Sequence, residues 1–255
     1  MSLHDTPAIT VIVPSYNHVN FIENALDSIA NEDYLNKQIV VVDDGSTDGS
    51  AQKIFNFLND KKENDIENIP LIQGFYKNTK TKLNLIACNN NKNPSSAKNI
   101  AIKAFLKTTD AFCFLDSDDL NINNKIKECS YILYKSWGTV GCVYNDYIIR
   151  DFELKTDTYI YNQPFDIVKP SENLNIVSNS LIPKYVFDEI GFFNEEFDVY
   201  ENNEFSIKLI NSYLCYHIPK ILNIVNCGSH CFKNNISKFL LFKSNNKLKE
   251  LIDAN

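Results

Sequence analysis

Apolar residues follow two alternating rhythms along this chain. Short, largely β-branched runs, "ITVIV" (9–13), "QIVVV" (38–42), "LNLIAC" (83–88) and "AFCFL" (111–115), have the length of buried strands. Between them, apolar positions recur at three- and four-residue spacing. Ile22, Ala25, Leu26 and Ile29 predict a helix over 20–30, with Asn20 as its cap and Glu23 three residues on. Ala51, Ile54, Phe55 and Leu58 predict a second helix, and "SSAKNIAIKAF" (95–105) a third. Strands that alternate with helices and are apolar throughout predict an α/β fold. Its central sheet should be mainly parallel, with helices on both faces.

After residue 120 the pattern changes. A helix is expected over 123–135, then a strand turning into a hairpin over 139–152. Weak periodicity over 151–180 predicts an irregular segment, a lid or a loop beside a binding site. A short helix opened by Pro183, a loop, and a helix over 201–213 follow. Two short strands, "LCYHIP" and "ILNIVNC", precede an amphipathic C-terminal helix from about 234. No repeat or low-complexity linker interrupts the chain. The expected organisation is one compact domain over 1–255, with halves at 1–120 and 121–230 and the terminal helix within 231–255.

Composition narrows the function classes. A net charge of −7 disfavours nucleic-acid binding, which needs a basic face. Seven cysteines form an odd set without a CxxC pair, as expected of reduced thiols in a cytoplasmic protein. Cys227, His230 and Cys231 lack a fourth ligand at zinc-site spacing. "MSLHDTP" has neither the basic start nor the apolar core of a leader, and no apolar run approaches ~18 residues. In "ISKFLLFKSNNKLKELI", apolar Ile236, Phe239, Leu240 and Phe242 alternate with lysines, a candidate peripheral membrane contact.

Three polar loops follow three of the strands: "PSYN" (14–17), "DDGS" (43–46) and "DSDD" (116–119). In open α/β sheets ligands bind beyond the carboxyl ends of the strands, so these loops are expected to converge. Asp116, Asp118 and Asp119 would then repel one another by roughly 3 kcal/mol per pair at ~6 Å and an effective dielectric near 20. A helix cap needs only one carboxylate. Three point to a hard cation, Mn²⁺ or Mg²⁺, completed by substrate phosphates. No GxGxxG follows the first strand and no GxxxxGK[ST] occurs, so neither a dehydrogenase-type nor a P-loop site is supported.

The segments "ITVIVPSYNHVNFIENALDSI", "IVVVDDGSTDGS", "NKNPSSAKNIAI", "FLDSDD", "IGFFNEEF" and "YENNEFSIKL" together resemble the family 2 glycosyltransferases, enzymes of the GT-A fold. The resemblance spans roughly residues 8 to 230 and is most specific in the first half. It implies an inverting transferase that moves a sugar from a UDP-sugar to a hydroxyl of a glycan or lipid-linked acceptor, in cell-surface polysaccharide synthesis. Pro14 and Tyr16 would line the nucleotide pocket, Asp44 would accept a hydrogen bond from the base, and Asp43 would support that loop. Asp118 would contact the ribose or the metal, Asp119 would hold the metal, and Asp116 would complete the cluster. His230 lies where some relatives place a third metal ligand. Lys98 stands where the family usually has Arg, and Asn93 where a loop Gly is common, a position that Asn can fill in the left-handed conformation.

One position departs from the family pattern. Where the catalytic Asp is expected, the chain has Asn202, which cannot take a proton. Glu201 and Glu204 are the neighbouring carboxylates, three apart and on one helix face, and Glu201 is favoured as the base. The second reading is a catalytically silent nucleotide-sugar-binding protein or a partner subunit.

Overall fold

The computed structural model of the chain describes residues 6–66, 68–90, 93–162, 176–178, 180–197 and 201–227. The expected C-terminal helix with its membrane-facing side chains, His230, Cys231, and residues 163–175 and 179 of the segment expected to be irregular lie outside the described residues.

Strand β1 (Ile9–Ser15), helix α1 (Ile22–Ala30), β2 (Lys37–Asp43) and α2 (Ser50–Phe57) realise the first two units of the pattern. After β5 (Lys82–Ala87) come α3 (Pro94–Phe105) and β6 (Ala111–Phe114). The run β5-β2-β1-β6 is parallel, with Ser15 beside Asp43 and Ile12 beside Phe114. All their carboxyl ends therefore face one edge. Alternate side chains point to opposite faces. Val11, Val13 and Val41 pack on Ile22, Leu26 and Ile29 of α1, while Ile12, Val40 and Val42 pack with Ala97, Ala101 and Ile102 of α3.

Between α2 and β5 lies a hairpin that the sequence pattern does not announce, β3 (Leu58–Ile66) with β4 (Ile69–Tyr76). Leu58, read as helical, has an extended ψ of 126° and starts β3 instead. Seven consecutive exposed residues of β3 carry no apolar alternation, because it is the outermost strand and has no core to face.

The second half contributes β7 (Leu120–Asn121), α4 (Lys125–Lys135), β8 (Val140–Asp151), β9 (Thr156–Ile160), β10 (Leu181–Pro183), α5 (Lys184–Ile190), α6 (Glu201–Ser212) and β11 (Leu214–Cys227). The strand order is β3-β4-β5-β2-β1-β6-β10-β8-β11-β7, with β9 paired to β8. Strand β10 runs antiparallel to both neighbours, so the sheet is mixed. Strand β9 falls where an irregular segment was expected and pairs with β8 from Thr156 to Ile160. The two expected strands after α6 are one, β11, whose register against β8 slips between Ile218 and Ile221. That break sits at Pro219, which has no N–H to donate to the ladder.

Two local expectations are corrected. Asn20 does not cap α1: Phe21 holds the cap position without a side-chain bond, and Phe21 N and Ile22 N donate to the His18 carbonyl. The turn before the helix supplies the acceptor, so no side chain is needed. Asn93 is extended, at φ 176°, rather than left-handed. Its side chain caps α3 by accepting from Ser96 N at 2.8 Å. Helices also cover less of the sheet than expected. On the α3 face, the amino-terminal parts of β2 and β5 and the carboxyl-terminal part of β4 line an open cleft.

Buried Cys113, Cys129, Cys142, Cys215 and Cys227 form no disulfide among the described residues.

Candidate functional site

The loops after β1, β2 and β6 meet as the topology requires. Pro14, Tyr16, Asp44, Asp116, Asp118 and Glu201 line one cavity of about 380 Å³. Hydrogen bonds between the first two loops set their relation. Asp44 N donates to the Ser15 carbonyl at 2.9 Å and Asn17 N to Ser46 Oγ at 2.9 Å. Thr47 N donates to Asn17 Oδ1 at 2.8 Å, and Val19 N to Asp48 Oδ2 at 2.9 Å. The polar residues of "DDGSTDGS" are therefore largely consumed in clasping the "PSYN" loop. Gly45 and Gly49 take positive φ, 78° and 92°, as the turn demands.

Asp43 and Asp44 divide the work. Asp43 is buried behind the wall, and its Oδ1 accepts from Ser46 N at 2.9 Å, which closes the turn. Asp44 faces the cavity, beside the half-exposed ring of Tyr16.

The "DSDD" segment turns sharply, with Asp119 N donating to the Asp116 carbonyl at 2.9 Å. Asp116 and Asp118 reach the cavity, whereas Asp119 is buried beneath them. Asp119 Oδ1 accepts from Asn226 N at 2.9 Å, and the Asn226 side chain donates to the Asp118 carbonyl. Strand β11 thus pins the loop from a position 107 residues away. Burial pushes the Asp116 carboxyl up, opposed by Lys98 and reinforced by Asp118 and Glu201. Burial, then the charges of Asp116 and Asp118, hold Asp119 well above the usual carboxylate range, against the Asn226 N–H. The carboxylates crowd one another as the sequence implied.

Among the described residues, no three His, Cys, Asp or Glu side chains are placed to hold a metal by themselves. Two cavity-facing carboxylates nevertheless fit a hard cation whose remaining ligands are phosphate oxygens and water. The donor set of Asp116 and Asp118 suits Mn²⁺ or Mg²⁺ in that role.

At the far wall, buried Lys98 donates to Glu201 Oε1 at 2.9 Å and to Asn202 Oδ1 at 2.7 Å. Its ammonium also lies 5.1 Å from the centroid of Phe193. Glu201 and Asn202 therefore converge on one cation although adjacent on α6. Glu204 does not share that role: it is buried and pairs with Lys208 at 2.8 Å. A shared helix face did not bring Glu201 and Glu204 to one site, because in this first turn Glu201 bends toward Lys98.

Sequence reasoning missed His18, Ser117 and Asn226. His18 Nδ1 lies 2.6 Å from Ser117 Oγ, joining the first loop to the third, and both residues line the cavity. His18 and Ser117 stand inside segments already singled out, whereas Asn226 stands in an expected strand and carried no such signal.

The sequence profile described as "Glycosyl transferase family 2" matches residues 10–191. An uncharacterized glycosyltransferase of Rickettsia felis is 30% identical over 216 residues, covering 80% of this chain and 31% of that protein. The chain thus spans about a third of that relative's length. The Escherichia coli UDP-Glc:alpha-D-GlcNAc-diphosphoundecaprenol beta-1,3-glucosyltransferase WfgD is 26% identical over 252 residues, 97% of this chain and 83% of that one. Among solved structures, Staphylococcus aureus TarS 1–349 in complex with UDP superposes with a TM-score of 0.66 at 18% identity, over 91% of this chain and 64% of that one. The mannosyltransferase PcManGT of Pyrobaculum calidifontis, in complex with GDP-Man and Mn²⁺, gives 0.64 at 19%, over 92% and 62%. These likenesses show the GT-A fold. With the profile covering most of its length and the three loops gathered on one cavity, the chain belongs to glycosyl transferase family 2.

Proposed function

We propose that the protein transfers a sugar from a UDP-sugar to a hydroxyl of a glycan or lipid-linked acceptor, with inversion at the anomeric carbon. The observation that carries this reading is the single cavity joining Tyr16 and Asp44, Asp116 and Asp118, and Glu201. Pro14 and Tyr16 flank the nucleotide base, and Asp44 accepts a hydrogen bond from it. Asp116 and Asp118 hold a divalent cation, while Asp119, tied to Asn226, keeps their loop in place. When bound, the cation offsets the charge that develops on the leaving diphosphate.

Lys98 brings a second positive charge close to the same wall, as a point charge rather than a fork. Glu201 takes the acceptor hydroxyl's proton, since it faces the cavity and Asn202 carries an amide. The similarity to WfgD, whose name specifies a UDP-glucose donor and a diphosphoundecaprenol-linked acceptor, supports the UDP-sugar and lipid-linked assignments. Such an acceptor would put the protein at the cytoplasmic face of a membrane. Among the described residues no helix is long and apolar enough to cross one.

One observation favours the silent alternative. Glu201 spends Oε1 on buried Lys98, 2.9 Å away, so that oxygen cannot reach an acceptor hydroxyl until the contact opens. The deciding experiment measures UDP binding and sugar transfer together. UDP binding with turnover lost in Glu201→Gln supports the transferase. UDP binding with no turnover on any acceptor supports the silent protein, and no binding of UDP overturns both.

A further inference from the structure

A second concavity, of about 550 Å³, lies at the opposite edge of the sheet. Its wall includes Ile9, Lys37 and Lys82, the first residues of β1, β2 and β5, whereas the donor cavity lies beyond the last residues of these strands. At ~3.3 Å per residue the two are roughly 20 Å apart.

The floor is polar, unlike the rest of that sheet face. Gln38 Nε2 donates to Thr10 Oγ1 at 2.9 Å, and Gln73 Nε2 donates to Asn84 Oδ1 at 2.8 Å. Asn84 Nδ2 donates to Gln38 Oε1 at 3.4 Å, and Asn64 Nδ2 to Gln73 Oε1 at 3.1 Å. A row of side chains thus spans β1, β2, β5, β4 and β3. Lys62, Lys80 and Lys82 stand exposed around it and form no ion pair among the described residues. Asp60 is the acidic side chain of the lining, and Phe75 offers a partly exposed ring. In a chain of net charge −7, three unpaired lysines around one cleft select an anion.

We propose that this cleft binds an anionic oligosaccharide. The backbone bonds of β2, β5 and β4 beneath the cleft are already used within the sheet, so a peptide cannot add there as a strand. Side-chain amides present donor and acceptor together, as sugar hydroxyls require, and Phe75 faces a ring. The choice of a glycan rests on the reading of the protein as a glycosyltransferase. Held there, an acceptor chain keeps its end at high effective concentration near the donor cavity.

The test is calorimetric titration with oligogalacturonate, a neutral galactan fragment of equal length, and poly-glutamate. It compares the wild type with the charge-reversed K62E/K80E/K82E variant, and UDP thermal shifts are recorded on both proteins. Saturable binding of oligogalacturonate alone is expected, weakened roughly tenfold or more by the variant and by raising salt from about 50 to 300 mM. Unchanged UDP shifts in the variant show that its fold persists. No binding, equal binding by the variant, equal binding of the neutral fragment, or tighter binding of poly-glutamate would overturn the proposal. If oligogalacturonate binds but UDP does not, the donor assignment fails and the anionic site stands.

Discussion

Lys98 and Glu201 lie 103 residues apart in sequence and 2.9 Å apart in space, both buried, on α3 and α6. Removing one partner of a buried pair strands the other charge and typically costs about 3–5 kcal/mol. Lys98→Met should therefore destabilise the fold more than Lys208→Met, whose ammonium meets Glu204 from a more exposed position. Urea unfolding of both variants checks the ranking, and equal midpoints would contradict it.

For catalysis, Glu201→Gln keeps the shape of that contact but removes the proposed base. Turnover should fall by about 10²–10⁴ while UDP binding persists. Asn202→Asp should be neutral or activating, because it adds a carboxylate where Lys98 already reaches. Full turnover in Glu201→Gln would place the base elsewhere.

Metal dependence separates the aspartates. UDP at a hundredfold excess over its dissociation constant should stabilise the wild type by about 2.7 kcal/mol. That gain should need Mn²⁺ or Mg²⁺ and disappear in Asp118→Asn. Asp119→Asn retains an acceptor for Asn226 N and should keep part of it. Identical UDP shifts in EDTA and in Mn²⁺ would end the metal assignment.

Glu32 makes stability depend on pH away from the cavity. It accepts from Asn121 Nδ2 at 2.8 Å and Ile126 N at 2.6 Å, and burial pushes its carboxyl from 4.5 up to about 7. Between those values the folded state holds a proton that the unfolded state has released. Stability therefore falls as pH rises from about 4.5 to 7, by up to roughly 3 kcal/mol. Glu32→Gln should flatten that slope in denaturation series from pH 5 to 8, and an unchanged slope would show that Glu32 does not titrate there.

Gly141 of β8 permits the close approach of α6. A methyl group there would sit 2.4 Å from Tyr213 Cβ and 2.8 Å from Leu209 Cδ1. Gly141→Ala should cost about 1–3 kcal/mol of stability by overpacking. A melting temperature equal to the wild type would mean that α6 shifts freely.

The sequence by itself determined the parallel βα units and the identity of three loops at their carboxyl ends. Both follow from local periodicity: a buried strand must be apolar, and its crossover helix must be apolar on one side. Pro14, Tyr16, Asp44, Asp116 and Asp118 were legible for that reason, since each stands next to a strand whose end is visible in the pattern. The tertiary structure alone decided what those loops touch. Asn226 beneath Asp119, Lys98 against Glu201 and Asn202, and His18 against Ser117 join residues about a hundred positions apart. Strand order sets such contacts, and no local period encodes strand order. The β3–β4 hairpin was hidden for the complementary reason. An edge strand with an exposed, charged surface buries too little to leave an apolar rhythm, and only its pairing with Ile69–Tyr76 makes it a strand.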